Sequence, residues 1–292
     1  MEHLFVVVLG PCNLKCVYCW YVTDAAPIMP MKLRPVAFSS WVSQWREVSP
    51  IQSITFTGGE PYLRKDFEGF LDVAAEQRLE TAVITNGTLL NEARVQKLRE
   101  NNVAVHLSLD SVHEAHHEAV RGRHKETMRA AALLEEFDVP RRFITTVLTR
   151  GNIDEIPALR QFALDHGFRI KFQPADLPAD QPLSLWNCSE QERTALGRAL
   201  WSWASDSGRL AYAGLIMLSI SRGVPPVPDC SFTRTSLVID SDGSIYPCFQ
   251  NQAESLGSIF TTSPGEVAQR RELLFQRIPP GSCFKAGCFG VF

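Results

Sequence analysis

The sequence predicts an α/β protein: six strand–helix units forming a partial (β/α)6 barrel, with a small C-terminal β-hairpin/helix appendage. Three observations predict it. Short apolar, β-branched runs recur along the first 175 residues, and segments with helical spacing alternate with them. The pattern stops at a proline-rich stretch, Pro174 to Pro182, beyond which a glycine turn separates two short strand-like runs.

Taken in order, strands are expected at Leu4–Leu9, Ser53–Thr57, Thr81–Thr85, Val103–Leu109, Phe143–Leu148 and Arg169–Phe172. Helices are expected at Ser40–Val48, Asp66–Arg78, Glu92–Asn101, Glu126–Phe137 and Ile153–His166. Strict alternation implies right-handed crossovers and a parallel sheet. Functional residues should then gather at the C-terminal ends of the strands. The organisation expected is a barrel core at 1–175, a helical connection at 176–229 and a C-terminal region at 230–292. In the connection, Ser189-Glu-Gln-Glu192 reads as a capping box opening a helix to about Ser205. Trp186, Trp201 and Trp203 read as core packing there, with a pocket wall as the alternative.

The chain has 292 residues, 45% of them apolar, enough to bury a large core. Its net charge of −3 gives no reason to expect nucleic acid or an anionic membrane as partner. No apolar run approaches the roughly 20 residues that span a bilayer. Met1 is expected to lead directly into the first strand without a signal peptide.

Chemistry enters at the end of the first strand. Cys12, Cys16 and Cys19 are spaced C-x3-C-x2-C. An iron–sulfur cubane takes one thiolate per iron, so a compact set of three leaves one iron open to another ligand. Part of a zinc site, or ordinary buried thiols, are the alternatives. The second strand runs into Thr57-Gly58-Gly59-Glu60-Pro61. Glycines let a backbone approach a ligand closely.

Together the triplet and the GGEP segment resemble the radical S-adenosylmethionine (SAM) superfamily, which has a partial TIM barrel. The resemblance implies a [4Fe–4S] cluster on Cys12, Cys16 and Cys19, with SAM chelating the open iron through its amino and carboxylate groups. It implies further that Tyr18 covers the adenine and that Gly58, Gly59, Glu60 and Pro61 bind SAM, Glu60 accepting from its ammonium. His113 to Gly122 resembles the family's H-x-x-x-R-G type segment, which makes Arg121 a clamp for the methionine carboxylate. A surface arginine is the alternative.

Other strand ends supply further candidates. Asn86 follows the third strand, and Gln173 ends the sixth as a contact for adenine or substrate. Ser108 and Asp110, two residues apart on a strand, face one side and suit two ribose hydroxyls. A turn or helix cap is the competing role for Asp110 and Ser111. His113, His116 and His117 are read as solvated residues, because no fourth ligand stands at a supporting spacing.

Downstream, Cys230, the hairpin Ser236–Asp240 and Ser244–Tyr246, and Cys248 give the spacing C-x12-G-x4-C. That spacing resembles the auxiliary-cluster region called twitch or SPASM. A helix at Glu266–Gln276 precedes Cys283 and Cys288. Four thiols fit one auxiliary [4Fe–4S] cluster, or a four-thiolate zinc site. Of eight cysteines, three and four are thereby used and one is left. The spare is Cys188, or Cys248 if Cys188 substitutes as a ligand. Eight cysteines beside a cluster motif point to a reducing cytoplasm.

A spare thiol can return a hydrogen atom to a substrate radical, so the expected function is an epimerase that inverts a carbon of a small polar metabolite. In layout the chain resembles twitch-bearing enzymes of aminoglycoside pathways, of the neomycin-type epimerase and butirosin-type dehydrogenase kinds. The alternatives are a dehydrogenase using the auxiliary cluster as electron acceptor and a peptide-modifying enzyme. The start at the first strand, without a leader-binding domain, is taken to favour a small substrate. Asp176, Asp180 and Asp229 could meet an amine-rich ligand, though charged connections are usually solvated. The family implies an external one-electron donor such as flavodoxin or ferredoxin.

Overall fold

The computed structural model describes residues 2–19, 30–222, 232 and 235–277. The six core strands are β1 (Glu2–Leu9), β2 (Ile51–Gly58), β3 (Glu80–Thr85), β4 (Ala104–Ser108), β5 (Arg142–Leu148) and β6 (Arg169–Pro174). Each pairs in parallel with the next. Helices α1 (Pro35–Trp45), α2 (Phe67–Glu76), α3 (Glu92–Glu100), α4 (Glu114–Val120), α5 (His124–Glu136) and α6 (Ile156–Asp165) supply the crossovers. The expected α/β partial barrel is thus what the chain forms.

Alternating residues of β1 part to the two faces of the sheet. Leu4, Val6 and Val8 join the main core with Phe38, Trp41 and Trp45 of α1. Val7 belongs to a second apolar cluster with Phe232, Val238, Tyr246 and Cys248, and Phe5 packs against it. The first face looks to the helices and the second to the lumen.

The hairpin at 236–246 is not set apart from the barrel. Its first strand, β7 (Ser236–Ile239), lies parallel to β1, while β8 (Ser244–Tyr246) and β9 (Gly257–Ser258) follow antiparallel. Among the described residues one nine-stranded sheet results, ordered β6-β5-β4-β3-β2-β1-β7-β8-β9. Helix α9 (Pro264–Gln276) is fastened beneath it: Arg271 Nη1 donates to Glu2 Oε1 at 3.0 Å, and Trp45 Nε1 donates to Glu2 Oε2 at 2.6 Å. We name α9 and the two helices of the connection, α7 (Glu190–Ser207) and α8 (Leu210–Arg222), in chain order.

The connection departs from expectation by carrying that second helix. Gly208, at φ +70°, ends α7 in the left-handed conformation, and the chain turns straight back as α8. The turn has no proline to mark it. The Ser189–Glu192 capping box opens α7 as expected. Trp203 packs edge-on to Phe172 and its Nε1 donates to Ile170 O, whereas Trp201 is exposed. Among the described residues no helix is long and apolar enough to cross a membrane.

Glu2 holds two elements at once, with its own side chain 15% and that of Arg271 8% exposed. Glu2→Ala should cost about 3–5 kcal/mol, the range for stranding one member of a buried pair. Denaturant unfolding should show one transition at a lower midpoint. A separate early transition would mean that α9 and the hairpin fold apart from the barrel.

Candidate functional site

A parallel sheet brings the ends of all six core strands to one rim, and there the exits of β1 and β2 are tied together. Gly59 N donates to Leu9 O at 2.9 Å and Glu60 N to Pro11 O at 3.1 Å. A Cβ on Gly58 or Gly59 would collide with the carbonyl oxygens of Leu9 or Pro11. The expected reason for the two glycines was approach to a ligand; the structure adds an approach of the chain to itself. It seats the loop that bears the three cysteines.

Glu60 departs from expectation in the same way. Its carboxylate is fully buried and accepts from Tyr62 N, Thr85 Oγ1 and Asn86 N at 2.8–3.2 Å. Burial pushes its pKa up and these bonds oppose the shift. The side chain braces the exits of β2 and β3 and offers no exposed oxygen to an ammonium. Pro61 opens the 3-10 turn that Glu60 caps. Asn86 is poised between partners: its Nδ2 donates to Asn13 Oδ1 at 2.9 Å and to Cys12 Sγ at 3.8 Å. Asn13 in turn donates to Thr88 Oγ1 at 2.8 Å. Asn13 and Thr88 are site residues that the sequence reading missed; the signal was the Asn-Gly turn, Asn86-Gly87, which predicts side-chain hydrogen bonding at a strand exit.

Asp110 and Arg121 find each other. Asp110 is fully buried just past β4, where Oδ2 accepts from Arg121 Nε at 2.7 Å and from the Tyr18 hydroxyl, while Oδ1 accepts from Val147 N at 2.8 Å. Arg121 also lies over the Tyr18 ring, 5.4 Å from its centroid. Three of the roughly four acceptor positions of Asp110 are thus taken by the protein, so any contact with ribose hydroxyls would share the carboxylate with Arg121, Tyr18 and Val147. The reading of Arg121 as a surface group is excluded, and as a carboxylate clamp it would act while paired. Tyr18 is held edge and face, and burial raises its pKa further. Ser108 is buried at the end of β4 and Gln173 half-buried near the end of β6. Ser111 serves locally, its hydroxyl donating to Glu155 and accepting from His113 N at 2.9 Å.

The thiols suit a thiolate-bound iron–sulfur group. Cys12 Sγ accepts from Leu14 N at 3.4 Å and from Asn86 Nδ2, and Cys16 Sγ receives Arg121 Nη1 at 3.9 Å. N–H donors and a guanidinium stabilise sulfur that carries negative charge. Burial above all, with Arg121 opposing it and Asp110 and the other thiols adding to it, pushes the Cys16 thiol up to about 11, and burial raises Cys12 in the same direction. Metal binding would displace those protons. Among the described residues no three His, Cys, Asp or Glu side chains converge on a single ion; a cubane takes one thiolate per iron and so needs no such convergence.

The histidines divide. His113 is exposed and pairs with Glu155 at 3.0 Å, as expected of a solvated residue. His117 is the opposite: it is fully buried, neither ring nitrogen has a partner, and burial lowers its pKa to about 4. Helical periodicity turns it inward beneath Arg121, which sequence spacing in a short helix did not convey.

The two cysteines of the allocation question lie in different surroundings. Cys188 is buried in the main core at the end of a 3-10 turn, Leu185–Asn187, beside Arg150 and Glu192. Burial pushes it up to about 11. Cys248 belongs to the lumen-side cluster on β1. Cys230, Cys283 and Cys288 lie outside the described residues.

Comparison with known proteins agrees with the fold. The cysteine-type anaerobic sulfatase-maturating enzyme of Clostridium novyi (strain NT) is 27% identical over 263 residues, 81% of this chain and 70% of the relative. The mycofactocin maturase MftC of Mycolicibacterium smegmatis is 26% identical over 295 residues, 95% of this chain and 73% of the relative. Native anSMEcpe with bound AdoMet superposes with a TM-score of 0.73 at 22% identity, covering 94% of this chain and 82% of that one. BtrN, in complex with AdoMet and 2-DOIA, superposes at 0.53 with 18% identity, covering 94% and 86%. These two likenesses are of fold. The Radical SAM superfamily matches residues 6–163, more than half of the sequence and the very stretch that carries the thiol loop, the β2 exit and Arg121. On a match of that extent, the chain belongs to the radical SAM superfamily.

Proposed function

We propose that the protein is a radical SAM oxidase of the maturase kind, which removes hydrogen from a carbon of a peptide side chain and leaves it oxidised by two electrons. The observation that carries this choice over epimerisation is the burial of Cys188 in the helix-facing core. The motif makes Cys188 the spare thiol, and a thiol packed away from the lumen cannot hand hydrogen to a substrate there. The relatives similar over most of the chain are maturases, which favours a peptide over a free metabolite.

When bound, the SAM-carrying cluster supplies hydrogen abstraction and an auxiliary cluster supplies a one-electron acceptor. Cys12, Cys16 and Cys19 would hold the first, and Cys230, Cys248, Cys283 and Cys288 the second. Arg121 keeps a positive charge beside Cys16 and is itself held by Asp110, so guanidinium and loop move as one. Gly59 and Glu60 fix the height of the cysteine loop through Leu9 and Pro11. Tyr18, pinned by its hydroxyl, presents a ring of fixed orientation for adenine.

A second reading is favoured by the place of Cys248. Its thiol lies in the lumen-side cluster with Val7. Were it not a cluster ligand, it would stand where a hydrogen donor must, and the enzyme would be the epimerase of a small polar, aminoglycoside-like metabolite.

Turnover in deuterium oxide separates the two. Oxidation gives a product lighter by two hydrogens with no solvent deuterium on the reacting carbon; epimerisation gives one deuterium at that carbon. Cys188→Ala should retain full iron and full product, whereas Cys248→Ala should lose the iron of one cluster. Full iron with no product in Cys248→Ala would overturn the oxidase reading.

Asp110→Asn tests the buried pair. It keeps the shape but removes the charge that orders Arg121 and Tyr18, so SAM should bind about tenfold more weakly, the equivalent of one charge-assisted hydrogen bond. Equilibrium binding measures this, with iron content unchanged. Unaltered affinity would show that Arg121 needs no such support.

A further inference from the structure

Asn86 has one polar group to spare, and that group is turned toward the cysteine loop. Its backbone N donates to Glu60 Oε2 at 2.8 Å, and its carbonyl accepts from Thr127 Oγ1 at 3.2 Å. Its side-chain oxygen accepts from Thr88 N at 2.9 Å and from Thr88 Oγ1 at 2.7 Å. The first of these bonds closes an Asx turn over Gly87, which stands at φ +77°. A backbone N–H can only donate, so it settles which end of the Asn86 amide is oxygen. The Nδ2 protons therefore face Asn13 Oδ1 at 2.9 Å and Cys12 Sγ at 3.8 Å.

Directionality then propagates. Asn13 must present its oxygen to Asn86, so its own Nδ2 faces the other way and donates to Thr88 Oγ1 at 2.8 Å. Thr88 has one hydroxyl proton, which goes to Asn86 Oδ1. Asn13, Thr88 and Asn86 thus close a ring in which each donates to the next and no amide can flip alone. Asn86 and Thr88 are buried at the exit of β3, and Asn13 is the neighbour of Cys12 on the loop. As a thiol, Cys12 reaches Asn13 Oδ1 at 3.9 Å. Once its proton is gone the sulfur can only accept, and among the described residues the N–H groups that face it are those of Leu14, at 3.4 Å, and Asn86. Pinning the loop uses one Nδ2 proton of Asn86. The other is left for sulfur.

We propose that Asn86, oriented by Asn13 and Thr88, is a positioning residue that donates a hydrogen bond to the Cys12 thiolate and so sets how readily a cluster on Cys12, Cys16 and Cys19 accepts an electron. Sulfur ligands gain negative charge on reduction, so an N–H directed at one of them stabilises the reduced state and raises the potential. Thr88 touches no sulfur and acts through the amide that it holds. The role concerns the entry of the electron, which precedes any chemistry on substrate. It holds for oxidation and epimerisation alike.

Redox titration of the cluster-loaded protein tests it without substrate or turnover. The readout is the electron paramagnetic resonance of the reduced cluster whose signal SAM alters, which separates it from an auxiliary cluster. Asn86→Leu keeps the bulk and deletes the donor, so the reduced-to-oxidised ratio at a given potential should fall about tenfold, a midpoint lower by about 59 mV for one electron. Thr88→Val should lower the midpoint in the same direction by less, whereas Thr88→Ser, which keeps the hydroxyl, should titrate as the wild type does. The titration reads only loaded molecules, so partial loading of a variant leaves the comparison intact. If Asn86→Leu holds no iron at all, the two Thr88 variants decide, because a residue that merely braces the loop would change the melting temperature without moving the midpoint. A wild-type midpoint in Asn86→Leu or in Thr88→Val would overturn the proposal, as would a Thr88→Ser midpoint displaced as far as that of Thr88→Val. Such a result leaves the reading of the substrate chemistry standing, since the product formed does not enter the measurement.

Discussion

The buried Asp110 carboxylate is the interaction on which the rim depends. It accepts from three separate pieces of chain: Tyr18 of the cysteine loop, Arg121 at the end of α4, and the backbone of Val147 on β5. A carboxylate with no access to water must be matched by donors on all sides, and here each donor comes from an element that has no covalent reason to be near the others. The charge therefore fixes where the loop, the helix end and the strand end meet. Val17 N donating to Val120 O at 3.0 Å adds a backbone clasp between the same loop and helix.

On the other flank the constraint is steric. Gly58 and Gly59 let the exits of β1 and β2 touch, and Glu60, buried beneath, ties the second exit to the third through Thr85 and Asn86. The cysteine loop is thus held on one side by backbone contact and on the other by a buried charge. Thiolate ligands on a free loop would have to be ordered by the cluster itself. Here that ordering is already done, and Cys12 and Cys16 already have polar N–H or guanidinium neighbours.

Most of the fold was legible because it follows from periodicity: each of the six core strands fell within two residues of its expected ends. The three-thiol loop and the GGEP exit were legible because their chemistry requires consecutive residue types. What was not legible is pairing across space. Asp110 and Arg121 were each recognised as polar groups near the rim, but nothing in the order of residues says that they satisfy one another. Glu60 was assigned outward for the same reason, and His117 was read as solvated although its helix turns it into the core. The hairpin was recognised by its Asp-Gly turn. Its parallel attachment to β1 depends on which sheet edge is open, and only the assembled barrel decides that.

That attachment bears on how the two ends of the chemistry communicate. β7 continues the sheet from β1, so the strand that leads into the cysteine loop is also the strand against which the apolar side chains around Cys248 pack. Val6 and Val8 anchor β1 on the helix side while Phe5 and Val7 carry the lumen side. A rigid, doubly buried strand of this kind fixes the separation between the loop at its end and the thiol at its flank. If electrons leave the substrate toward the flank, their path is set by β1, and its rigidity matters as much as the ligands do. An appendage on a flexible tether could not hold that separation, which gives a physical reason for the hairpin to be woven into the barrel.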